Sequence, residues 1–152
     1  MHRAAPDSWS MARRILSVLA GLAVAVVFFM LFQGTSGAMY PPPPGLDLNK
    51  PEDLATYIDT LPQTAMFIVL LGYAVGSLMG GFVTAKVMMT RAVTPGQLRT
   101  PVLILGGLLT LASILNLRSI PHPTWFTVIN LAVFFPMVLA GARLTQLRFN
   151  KP

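Results

Sequence analysis

The chain contains no cysteine. Disulfide staples, thiolate metal sites and thiol nucleophiles are therefore excluded whatever the fold. Charge is also scarce. Asp, Glu, Lys and Arg make up 11% of the 152 residues, against about a quarter in an ordinary soluble domain. A deficit of this size has to be gathered into long uncharged runs, and it is. Ile15–Phe32 gives 18 residues without a charge, Gln63–Ala85 gives 23, Thr100–Leu117 gives 18 and Ser119–Ala142 gives 24. A hydrocarbon core about 30 Å thick needs about 20 helical residues at about 1.5 Å each. Four buried helices of a soluble bundle would carry charged outer stripes, and these runs carry none.

Titratable groups at depth are missing as well. The expected spans, 14–33, 63–86, 100–117 and 123–143, contain no Asp, Glu or His. Proton-coupled transporters and pumps need such a group inside the membrane, so a small four-span multidrug-type exporter is a poor match. Haem held between helices needs an axial ligand, usually His. The two histidines are His2 at the terminus and His122 in the loop Arg118-Ser-Ile-Pro-His-Pro. The acids Asp47, Glu52, Asp53 and Asp59 lack the D-x-[DN]-x-[DN]-G spacing of a calcium loop. No phosphate-cradling loop, nucleophile elbow or metalloprotease helix occurs. The expectation is a non-enzymatic protein with no catalytic residue, no cofactor and no metal.

The cations that are present are segregated. Arg3, Arg13 and Arg14 precede the first span. Lys86, Arg91 and Arg99 flank the connection between the second and third, and Arg143, Arg148 and Lys151 follow the fourth. The other side has Lys50 and Arg118 only, with four of the five acids. Positive charge inside then places both termini in the cytoplasm. The net charge of +6 marks this orientation and an attraction to anionic lipid. Split into three short flanks, it forms no stripe for nucleic acid. A cleaved signal peptide is the competing reading of the first run, with Ser36-Gly37-Ala38 small enough for cleavage. Its 18 apolar residues exceed the usual 7–15 of a signal core, which favours an uncleaved span. Met11 also reads as a translation start, with residues 1–10 as an extension.

The loop 34–62 opens on Gly34-Thr-Ser-Gly, expected to end the first span loosely. Tyr40 and Pro41-Pro-Pro-Pro-Gly45 follow as a stiff polyproline turn, either a connector or a docking segment. Pro51 suits a first helical position, with Asn49 or Lys50 as cap and Glu52 and Asp53 at the positive helix end. Leu54, Tyr57, Ile58 and Leu61 recur at i, i+3, i+4, i+7. A short external amphipathic helix is expected over 51–61, its apolar face on the bilayer surface.

Glycine in apolar sequence is the most specific signal. Gly72, Gly76, Gly80 and Thr84 form one column at spacing four, the pattern of a glycine zipper. Ser77, Gly81 and Ala85 form a second beside it. Without a hydrophobic drive between helices in lipid, small residues let backbones approach closely. Gly80 and Gly81, Gly106 and Gly107, and Gly21 all fall about 8 Å inside the cytoplasmic boundary by helical rise. These seven glycines are the expected packing residues, with a permeation or substrate gap as the alternative. Pro136 should free the carbonyl of Ala132 and kink the fourth span. Tyr40 and Trp125 suit the outer aromatic belt and Trp9 the inner surface. Asn116 and Asn130 are expected to hydrogen-bond between helices.

Tyr40-PPPPG-Leu-Asp, the short acidic helix and Leu71-Gly-Tyr-Ala-x-Gly-x-x-x-Gly-Gly together resemble a group of small four-span bacterial membrane proteins. The resemblance covers about residues 15–145 and implies the same architecture, with no activity attached. The expected fold is all-α: one membrane domain over 1–152, an antiparallel four-helix bundle in the inner membrane. Its partners are the lipid bilayer and either a second copy or another membrane protein. A structural or accessory role is expected, with a small-solute or ion-conducting oligomer as the alternative.

Overall fold

The computed structural model describes residues 7–89, 95–120 and 122–149, and side chains within 11–89, 97–120 and 122–147. Five helices follow in order: α1 (Asp7–Met39), α2 (Pro51–Thr60), α3 (Gln63–Met88), α4 (Pro95–Ser119) and α5 (Thr124–Phe149). All but α2 are long and apolar enough to cross a membrane. The fold is an all-helical membrane bundle.

Contacts fix the directions. Gly21 lies against Gly80 and Thr84, Ala25 and Phe29 against Gly76, and Phe32 against Gly72. Rising numbers in α1 meet falling numbers in α3, so the two run antiparallel. Phe67 meets Trp125, Tyr73 meets Phe134 and Gly81 meets Val138, so α3 and α5 run parallel. Helix α3 packs on α1, α4 and α5 and is the most buried of the four spans, whereas α1 is the least. These pairings gather Arg13, Arg14, Lys86 and Arg143 at one end of the bundle. Arg3 and Arg91, with the side chains of Trp9, Arg148 and Lys151, lie outside the described residues.

Two helices depart from the sequence expectation. The first does not loosen at Gly34 but continues to Met39. A helical glycine costs about 1 kcal/mol against alanine, while an unsatisfied backbone group in lipid costs several. Continuation wins, and hydroxyls reinforce it. Thr35 Oγ1 donates to the Leu31 carbonyl at 2.8 Å and Ser36 Oγ to Ala65 of α3 at 3.2 Å. At its other end, α4 begins at Pro95 rather than near Thr100. Pro101 falls in its second turn, where one missing amide donor interrupts the ladder only locally. Helix α5 likewise stays continuous across Pro136.

The core has two parts. One contains Ala25, Ala85, Val102, Leu105, Phe134 and Val138. The other gathers Ile58, Met66, Leu70 and Phe126, with Leu54, Leu61 and Trp125 against them. The second part corrects the expected placement of α2. Its apolar face lies on protein rather than on bilayer, and Ile58 is only 8% exposed. Pro62, at the N-cap of α3, turns the chain back at once and folds Ile58 onto the first turns of α3. Lys50 is the cap of α2, without a side-chain bond. Asp53 Oδ2 accepts the Asp47 amide at 2.9 Å. Tyr57 donates its hydroxyl to the Tyr40 carbonyl, pinning α2 to the start of the proline run. Gly45 closes that run at φ +95°, a conformation glycine adopts without strain.

Candidate functional site: the helix seams

The site is made of absent side chains, so its geometry is best expressed by what a methyl group would meet. At Gly80 a Cβ would lie 2.8 Å from the Gly21 carbonyl oxygen and 3.2 Å from Ala25 Cβ. At Gly21 it would lie 2.6 Å from the Gly80 carbonyl oxygen and 3.1 Å from Leu105 of α4, and closer still to Thr84 Oγ1. The approach is reciprocal, backbone to backbone. It brings α1, α3 and α4 together at one level, the level at which helical rise places their small residues.

Farther along the same seam, a Cβ at Gly76 would lie 2.6 Å from the Phe29 ring and 2.8 Å from the Ala25 carbonyl oxygen. A Cβ at Gly72 would strike Phe32 Cβ and lie 2.8 Å from its Cγ. Gly81 points the other way, onto the backbone of Val138 in α5, with C and Cα at 2.8 Å. Gly106 is looser, 3.0 Å from the Phe135 ring. Gly107 does not join the seam. A Cβ there meets nothing within 4 Å, because one residue of rotation carries it past the α4–α5 contact.

Gly141, outside the columns expected from sequence, packs as tightly on α3 as Gly21 does. A Cβ there would strike the Leu78 carbonyl and sit 2.8 Å from the Phe82 nitrogen. The signal was present: Gly141 and Thr145 repeat the small residue at spacing four. Thr145 Oγ1 also donates to the Phe82 carbonyl at 3.0 Å. The α3–α5 seam is thus sewn from both sides, Gly81 onto Val138 and Gly141 onto Leu78. In each case the glycine Cα–H aims at a carbonyl oxygen, a weak hydrogen bond worth about 0.5–1 kcal/mol.

Polar groups in the interior divide into used and unused. Thr84 Oγ1 has no conventional partner, but Gly21 Cα–H points at it. Ser77 Oγ, Ser113 Oγ and Asn130 Oδ1 are buried without a partner among the described residues. Asn116 is exposed, and Asn130, 3% exposed, has its carbonyl oxygen unbonded. Among the described residues neither makes the expected bond between helices. Above the glycine level the interior is filled by rings. Phe29 and Tyr73 meet edge to face at 5.0 Å, and Phe134 lies 5.8 Å from Tyr73.

At the loop end the described polar groups bond locally. His122 stacks on Phe126 at 4.8 Å, and its Nδ1 is 2.8 Å from the Ile120 carbonyl oxygen. That contact fixes the proton on Nδ1. Among the described residues no three His, Asp or Glu side chains gather to hold a metal. Asp47 instead accepts both nitrogens of Asn49. Comparison with protein-family models, curated proteins and solved structures finds no match to this chain.

Proposed function

We propose that this is a non-enzymatic structural or accessory membrane protein that works through helix–helix contacts. The observation that carries the reading is the occupied glycine level. The space released by Gly21, Gly72, Gly76, Gly80 and Gly81 is taken by Thr84, Phe32, Phe29 and the backbones of Gly21, Gly80 and Val138. Close packing is what such residues contribute in lipid, and it supports the structural reading over a solute gap. The cations gathered at one end favour a bacterial inner membrane with both termini in the cytoplasm, in keeping with the small four-span group it resembles.

The alternative, a small-solute or ion-conducting oligomer, is favoured by one observation. Ser77, Ser113 and Asn130 keep unbonded oxygens inside the bundle, and polar linings are what conduction pathways use. Reconstitution into liposomes decides between them. The structural reading expects no ion or small-solute flux above that of empty vesicles. Flux that scales with protein and is lost on Asn130→Leu would replace it with conduction.

A further inference from the structure

Helix α1 has two faces, and only one is used. Gly21, Ala25, Phe32 and Ser36 point into the bundle. On the flank beside α3, Val26, Met30, Gln33 and Gly37 recur at spacings of four, three and four, the period of a helix–helix seam. Val26 and Met30 are exposed, Met30 at 67%. A Cβ at Gly37, or at neighbouring Gly34, meets nothing within 4 Å. Apolar exposure alone means lipid, but Gln33 is not apolar. Its side-chain hydrogen bond among the described residues is a 3.5 Å bond from Nε2 to the Tyr73 hydroxyl, at the limit of a hydrogen bond. The side chain is otherwise exposed.

Depth makes this costly. Tyr73 is ten residues beyond Gln63 and thirteen before Lys86, about 15 Å and 20 Å along the helix. Gln33 therefore sits inside the hydrocarbon, where lipid offers no hydrogen-bond partner. We propose that a second copy of this chain docks along Val26, Met30, Gln33 and Gly37, with the two Gln33 amides hydrogen-bonding each other across a two-fold axis. The geometry selects the occupant. Copies inserted in one orientation are related by an axis along the membrane normal, which sets identical residues opposite each other at identical depth. An amide carries both donor and acceptor, so it satisfies its own symmetry mate. Gly37 leaves room for the backbones to close in.

This inference rests on the helix-contact reading and names its partner. The absence of cysteine makes the test direct. Full-length single-cysteine variants in liposomes are oxidised with copper phenanthroline. Met30→Cys and Gly37→Cys are expected to form disulfide dimers, and Leu111→Cys on the exposed side of α4 is not. Gln33→Leu should weaken dimerisation about tenfold in single-molecule photobleaching at graded dilution, the scale of one interhelical hydrogen bond. Tyr73→Phe removes the same bond within the chain without touching the outer face, and should leave the dimer intact. A monomer at every dilution, stronger cross-linking at Leu111→Cys, or equal effects of Gln33→Leu and Tyr73→Phe would overturn the proposal. A flux-negative monomer would sink the dimer alone, whereas flux would sink the functional reading beneath it.

Discussion

Alanine substitution at the glycines should give a graded series ordered by what each new methyl strikes. Gly81→Ala is the sharpest case. Its Cβ would lie 2.8 Å from both C and Cα of Val138, where an ordinary contact needs 3.4–4 Å. Backbone cannot rotate away as a side chain can, so α3 and α5 must separate by roughly 0.5–1 Å. A gap of that size forfeits about a quarter to a half of each contact, and a packed surface makes tens of contacts of about 0.1–0.2 kcal/mol. The loss comes to about 1.5–3 kcal/mol, within the usual range for overpacking. Gly141→Ala should cost the same for the same reason. The double variant should cost less than the sum, because one separation relieves both clashes. Gly106→Ala meets the Phe135 ring, a side chain able to turn, and should be milder. Gly107→Ala meets nothing and should be neutral or stabilise by about 0.4–1 kcal/mol through lower unfolded-chain entropy. Thermal unfolding in detergent, followed by circular dichroism, reads the series. If Gly81→Ala were tolerated, or Gly107→Ala were as damaging, the seams would not be held by close backbone contact.

Other expectations are simpler. Thr145→Val keeps the shape but removes the bond to the Phe82 carbonyl, and should cost about 0.6–1.7 kcal/mol in the same melt; no change would show that the bond does not matter. Asn130→Leu replaces a buried amide whose oxygen is unbonded, so stability should rise by about 1–3 kcal/mol, and a fall would mean the amide has a partner in the membrane. Ile58→Ala should destabilise by about 2 kcal/mol, the lower end for a buried aliphatic, because α2 packs on protein; a silent substitution would return its apolar face to the lipid. For orientation, Asp59→Cys should react with a membrane-impermeant maleimide in intact cells and Gln97→Cys should not. The reverse pattern would invert the topology.

The spans were legible because lipid imposes one rule on every residue of a run, and an 18-residue run without charge satisfies it unambiguously. The α3 columns were legible for a related reason, since four glycines at fixed spacing have little use other than close approach. Rotation was not legible. Gly106 and Gly107 are adjacent, and only the α4–α5 packing decides that one meets Phe135 and the other faces outward. Gly141 escaped because a single glycine beside Ala140 and Ala142 makes a weak column, and its partner is backbone of α3 with no sequence signature. The end of α1 is not legible from Gly34 and Gly37, because inside a membrane backbone satisfaction outweighs the low helix propensity of glycine. The docking of α2 depended on Pro62 returning the chain at once, which sequence periodicity does not encode.

The central claim is that the glycine level is a dry seam between backbones. Solid-state NMR of the glycine-labelled protein in bilayers measures this directly. A cross-peak is expected between Gly21 Cα and the Gly80 carbonyl carbon, with slow polarisation transfer from water to both residues. Absence of that cross-peak together with rapid transfer from water would show a hydrated gap where the account places a contact.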